Sequence, residues 1–186
     1  MLQTKVTTDL VAEPVSLAEA KAFMEIDFTD FDDLITSLIK AARIASEKFT
    51  GLSYGTKTIS LTAKNECEIQ LPLGPVQTIT SVQNTDGDDL LYQAFGFDNP
   101  VITLEVSNSF AGLLPVNNTI PQNIVNVVYE TGFIDCPEDL KTAIKMRVET
   151  AFQYRADSTN EQVNKAINTS TELEFAYKVS PLFGLL

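Results

Sequence analysis

The sequence predicts an α+β protein: a helical core carrying an inserted antiparallel β-sheet or sandwich, with a short apolar tail. Three observations predict it. Apolar residues recur at helical spacing up to residue 52 and again over 137–155. Between about 56 and 132 the pattern changes to the two-residue alternation of strands. An apolar run, Leu182-Phe183-Gly184-Leu185-Leu186, then follows a chain-breaking Ser180-Pro181. The expected layout is one domain over 1–186: helical over 14–52, β over about 56–132, helical over 137–178, and an apolar tail over 179–186. At 186 residues and 44% hydrophobic, the chain has the material for a sizeable core.

The first helix opens at Glu13-Pro14-Val15-Ser16-Leu17-Ala18-Glu19. Pro14 pushes Glu13 toward an extended conformation. Ser16 offers its hydroxyl to the free amides of the first turn, and Glu19, three residues on, completes a capping box. Leu17, Ala20 and Met24 share one face, with Lys21 close to it. Asp27-Phe28-Thr29-Asp30-Phe31-Asp32-Asp33 interrupts the helix, and Thr29 or Asp30 is expected to cap the next one. Leu34, Ile35, Leu38, Ile39, Ala42, Ala45 and Phe49 then form one apolar stripe, and Gly51 ends the helix.

Alternation marks strands at 58–63, 66–71, 76–82, 101–106 and 124–129. Pro72, Gly74 and Pro75 form one turn. Asp86-Gly87 signals a two-residue turn before a strand at Leu90-Leu91-Tyr92. Residues 107–121 read as a loop rich in Asn, Gly and Pro. Pro137, flanked by Glu138 and Asp139, starts a helix whose stripe is Leu140, Ile144, Val148, Ala151 and Phe152. Helical segments are expected at 162–167 and 172–178, with Asn168-Thr169-Ser170-Thr171 weakening any single long helix.

Composition narrows the function. The chain has no histidine, which removes the commonest general base and metal ligand and excludes Ser/His/Asp and Cys/His nucleophile systems within one chain. Neither Gly-rich phosphate loop pattern occurs. The net charge of −12 opposes a nucleic-acid grip, which needs a Lys/Arg face. Cys67 and Cys136 match no metal spacing and are expected as buried small hydrophobes. No cofactor and no metal site are expected. Asp27, Asp30, Asp32 and Asp33 are the densest acid cluster, but they lack the Gly and distal Glu of a calcium loop, and helix capping explains them better. A carboxylate-metal hydrolase is the alternative from the enzyme class, and a monomeric binding module a further one. With no signal peptide pattern and no run long enough to span a membrane, the chain is expected to be made as a soluble protein in a host cytoplasm.

Several pieces occur in a specific order: "EPVSLAEAK" at 13–21, "DDLITSLIKAAR" at 32–43, "IQLPLGPVQTITSV" at 69–82, "VVYETGF" at 127–133, "PEDLKTAIKMRVETAFQYR" at 137–155 and "SPLF" at 180–183. Together they resemble the head–tail connector (adaptor, head-completion) proteins of tailed bacteriophages. The resemblance implies a non-enzymatic virion component of the neck, a helical core with a β insertion, and a self-assembled ring of twelve copies docked beneath the portal protein. Such a ring extends the DNA channel without binding DNA specifically, and receives a stopper or tail-completion protein. A head-closure or tail-completion role at the same neck is the alternative reading. The family's C-terminal segment docks on the portal, a role carried here to about 165–186, with Tyr177, Lys178, Pro181, Leu182, Phe183, Leu185 and Leu186 as docking residues. The polar 168–171 stretch and the missing terminal arginine depart from the family pattern. Asp30, Asp32 and Asp33 are the candidate channel-lining acids, because carboxylates repel phosphates.

Overall fold

The structure is a computed structural model that describes residues 2–64, 68–96, 100–104, 124–154 and 161–178. It is α+β, and its chain divides into two compact units: residues 1–9 with 56–132, and residues 10–55 with 133–186.

The first unit is all β. Its larger sheet runs β1 (Leu2–Thr8), β2 (Lys57–Lys64), β7 (Ile124–Thr131), β4 (Val76–Gln83), with every pairing antiparallel. The smaller sheet runs β3 (Glu68–Gln70), β6 (Val101–Leu104), β5 (Tyr92–Phe95). Ile59, Leu61 and Ala63 of β2 and Val125, Val127 and Tyr129 of β7 alternate onto one face. There they share a core with Ile69, Leu71 and Ile102. The Tyr129 hydroxyl leaves this apolar interior by donating to the Pro72 carbonyl at 2.7 Å.

Two expectations change here. Residues 2–8 form a strand the periodicity did not mark, because Gln3–Thr8 are exposed on both faces and carry no apolar alternation. The hairpin after β4 is longer than two residues. Asn84 Oδ1 accepts from the amides of Asp86 and Asp88, Gly87 takes φ +88°, and pairing resumes at Asp89 with Gln83. Leu90 and Leu91 therefore precede β5 instead of belonging to it.

The second unit is helical: α1 (Leu17–Phe23), α2 (Asp32–Thr50), α3 (Glu138–Gln153) and α4 (Glu161–Phe175). The α1 capping box forms as expected. Ser16 Oγ accepts from the Glu19 amide at 3.2 Å, and Glu19 Oε2 accepts from the Ser16 amide at 2.7 Å. The core gathers Val15 and Ala20, Ile35, Ile39 and Ala42 of α2, Leu52 and Tyr54, and Leu140, Ile144 and Val148 of α3. Gly51 closes α2 in the left-handed region at φ 77°, which a residue without Cβ adopts freely.

Three local readings are corrected. The α2 N-cap is Phe31, with no side-chain hydrogen bond, because Thr29 and Asp30 lie in the preceding turn. Pro137 is the N-cap of α3, one position before the first turn, its ψ of 141° being extended. The 168–171 stretch does not break α4: Thr169 Oγ1 donates to the Lys165 carbonyl, and Ser170 and Thr171 both donate to that of Ile167. These hydroxyls satisfy themselves on the helix's own carbonyls.

Candidate functional site

The candidate acids sit on the turn into α2. Phe31 stacks edge-on against Phe28, with centroids 5.8 Å apart, and against Phe152 of α3 at 5.6 Å, so aromatic packing pins this turn onto α3. Asp30 and Asp33 are exposed. Asp32 is engaged: Lys21 Nζ of α1 donates to its Oδ1 at 2.7 Å, so its charge is compensated locally. Asp32 and Asp33 also occupy the first turn of α2, where the helix dipole favours a carboxylate. Among the described residues no group of three or more acidic, cysteine or histidine side chains is placed to hold a metal ion.

The C-terminal candidates divide. Tyr177 and Lys178 follow α4, whose last turn closes with the Tyr177 amide on the Glu174 carbonyl at 3.0 Å. The Tyr177 ring is half-buried against the helical core, and its hydroxyl donates to Asp139 Oδ2 at 3.3 Å. Desolvation, with the Asp139 charge behind it, raises the phenol pKa. Lys178 Nζ lies 4.7 Å from the Phe49 ring centroid of α2, a cation–π contact. Both are thus engaged with their own subunit. Pro181, Leu182, Phe183, Leu185 and Leu186 lie outside the described residues.

Periodicity missed two buried ionic groups. Arg43, only 1% exposed, donates through Nε to Glu13 at 2.7 Å and through Nη1 to Glu47 at 3.0 Å; Glu47 also accepts from the Tyr54 amide at 3.0 Å. The predicted apolar stripe of α2 therefore becomes polar in its second half. Arg43, Ser46, Glu47 and Thr50 are buried there while Ala45 is exposed. The second group centres on Glu174 of α4, fully buried. It accepts from Arg147 Nε at 3.1 Å and Nη2 at 2.7 Å, and from the Ser46 hydroxyl. In the same unit, burial pushes the Cys136 thiol up to about 12 and also raises the Tyr54 phenol. The i,i+4 spacing of Arg43 and Glu47 is the one signal in the sequence that points to either group.

The described candidate residues thus lie on the turn into α2 and just beyond the end of α4. The chain belongs to the head completion protein family, whose model matches residues 13–175. A head completion protein is a structural component of the phage virion neck. The fold is similar to chains in three solved structures, each alignment covering 98% of both chains. One is the virion of a native gene transfer agent particle (17% identity, TM-score 0.73). The others are the neck of that native particle computed with C12 symmetry (17%, 0.72) and the neck of an empty particle computed with C6 symmetry (16%, 0.67). No curated protein matches the chain. Among the described residues no helix is long and apolar enough to cross a membrane.

Proposed function

We propose that this chain is the ring-forming adaptor of a virion neck: twelve copies assemble beneath the portal protein, extend the DNA channel and receive a stopper or tail-completion protein. The family match over 13–175 carries this reading, and the C12 symmetry of the neck that shares the fold supports the copy number. In this reading the segment from Tyr177 to Leu186 docks on the portal. Apolar Leu182, Phe183, Leu185 and Leu186 supply the area and Lys178 the single charge. Tyr177 and Lys178 exchange their contacts with Asp139 and Phe49 for contacts with the portal.

The lumen chemistry follows from sign. A ring of subunits each carrying −12 offers DNA no counterion-releasing grip, so the duplex slides. Asp30, exposed in the turn before α2, and Asp33, exposed in its first turn, are the channel-lining acids, with Asp32 partly neutralised by Lys21. Electron microscopy of the purified protein, alone and mixed with the portal of the same phage, tests the proposal. Rings, or an added tier on the portal, are expected. A monomer indifferent to the portal overturns it.

A further inference from the structure

Among its described side chains, helix α4 buries a charge and little hydrocarbon. The helices α2 and α3 bury Ile35, Ile39 and Ala42, and Leu140, Ala143, Ile144 and Val148. Among the described side chains of α4 the fully buried ones are Ser170 and Glu174, while Ile167 and Phe175 stand 40% and 67% exposed. Ala166 and Leu173 are half-buried. Of the two buried groups, Ser170 turns its hydroxyl back to the Ile167 carbonyl, so Glu174 alone reaches across to other helices.

The Glu174 seat is specific. The Arg147 guanidinium of α3 meets the carboxylate with Nε and Nη2, a two-pronged geometry, and its Nη2 also lies 3.5 Å from Thr171 Oγ1. Ser46 of α2 donates to Oε1. A one-turn slip of α4 would carry Ser170 or Lys178 to the seat, and neither supplies a carboxylate. The energetics of such a seat differ from those of an apolar contact. Desolvating a buried ion pair consumes most of its Coulombic gain, and all three groups recover water when the helix leaves. An apolar face has no such compensation.

We propose that α4 is a separately releasable element of the helical unit, and that Glu174, clasped by Arg147 and Ser46, is what holds it and sets its register. Because α4 leads into the apolar terminal segment, its release would reposition that segment without unfolding the core of α1, α2 and α3. The inference stands on the geometry of the isolated subunit and does not need the docking role proposed above.

Native-state hydrogen exchange on the purified full-length chain, with no portal present, tests it. In the unmodified protein, amides of 168–175 should exchange at least about tenfold faster than those of Ile35–Ala42 and Leu140–Val148, as for a helix that opens sub-globally. Glu174→Gln should accelerate the α4 amides by roughly a further tenfold or more, leaving α2 and α3 within about twofold, because it strands the Arg147 charge. The triple substitution Glu174→Leu, Arg147→Met, Ser46→Ala puts apolar side chains on both sides and should slow α4 exchange below that of the unmodified protein. Equal protection of α4 and the other helices in the unmodified protein overturns the proposal. So does equal acceleration of all three helices by Glu174→Gln, or a triple variant as labile as Glu174→Gln. Should Glu174→Gln fail to fold, the unmodified protein and the triple variant still decide. A negative result here leaves the ring assignment standing, since microscopy with the portal reads that separately.

Discussion

Replacing Arg43 by methionine should be among the most damaging single changes in the helical unit, and the structure says why. Methionine keeps much of the length and apolar volume of the arginine stem, so the lost packing is small. What disappears is the cation facing Glu13 and Glu47 at 2.7 and 3.0 Å. The two carboxylates differ in exposure. Glu13 is 27% exposed and regains water by a small rotation, whereas Glu47 is 8% exposed and tied to the Tyr54 amide. Removing one partner of a buried pair typically costs about 3–5 kcal/mol, mostly because the other charge is stranded. With a urea slope of about 2 kcal/mol/M, this lowers the midpoint by roughly 1.5–2.5 M. Adding Glu47→Gln separates charge from hydrogen bonding. The amide oxygen still accepts from the Tyr54 amide, but no charge is left stranded, so about half of the loss should return. The assay is urea denaturation followed by circular dichroism at 222 nm, which reports mainly on this helical unit. A single variant costing less than about 1 kcal/mol refutes the reasoning, as does a double variant less stable than the single, since the penalty assigned to a stranded charge would then be absent.

Other outcomes follow from the same structure. Ser16→Ala removes the hydroxyl half of the α1 capping box, leaving the backbone amide of residue 16 on Glu19, and should cost about 1 kcal/mol, measured by the same denaturation. The hydrogen bonds from Ser16 hold the Glu19 carboxyl below its ordinary value, so their contribution is present above the unfolded-state carboxylate pKa. It is lost as pH falls through the lower folded-state value, so the gap between the stability profiles of Ser16→Ala and the parent should narrow in acid, the part that remains being the hydroxyl's bond from the Glu19 amide. In a Cys67→Ala background, Cys136 should resist alkylation at pH 8 in the folded protein and react fully in urea, because burial disfavours its thiolate; equal labelling in both states would contradict this. Asp30→Lys with Asp33→Lys should slow DNA passage in assembled particles while leaving the helical content unchanged; packaging and ejection at parental rates would remove these acids from the channel.

How much of this was legible without coordinates depends on how far each interaction reaches along the chain. The capping box of α1, the glycine stop of α2 and most of the stripe of α3 were readable because a cap or a face is written within a few residues; Ala151, expected on that stripe, is exposed, and Ala143 is buried there instead. The strands β2 and β7 were readable because one buried face imposes alternation; β4, with Val82 its one buried residue, shows no such face. The order of the strands was not readable. The neighbour of β2 is β7, some sixty residues on, and β1 escaped notice because an edge strand exposed on both faces leaves no pattern. The acid cluster was found by composition, yet its splitting into exposed Asp30 and Asp33 and a paired Asp32 needed Lys21 in place.

By itself, the sequence determined the α+β class, the absence of histidine-based chemistry, the caps, and the ordered motifs of a neck protein, all local or compositional quantities. Tertiary structure alone decided which charges are buried. Arg43 lies 30 residues from Glu13, and Glu174 lies 27 from Arg147 and 128 from Ser46. A charged side chain carries no sequence mark of burial, because what makes its burial tolerable is a partner that only the folded chain brings within hydrogen-bonding distance.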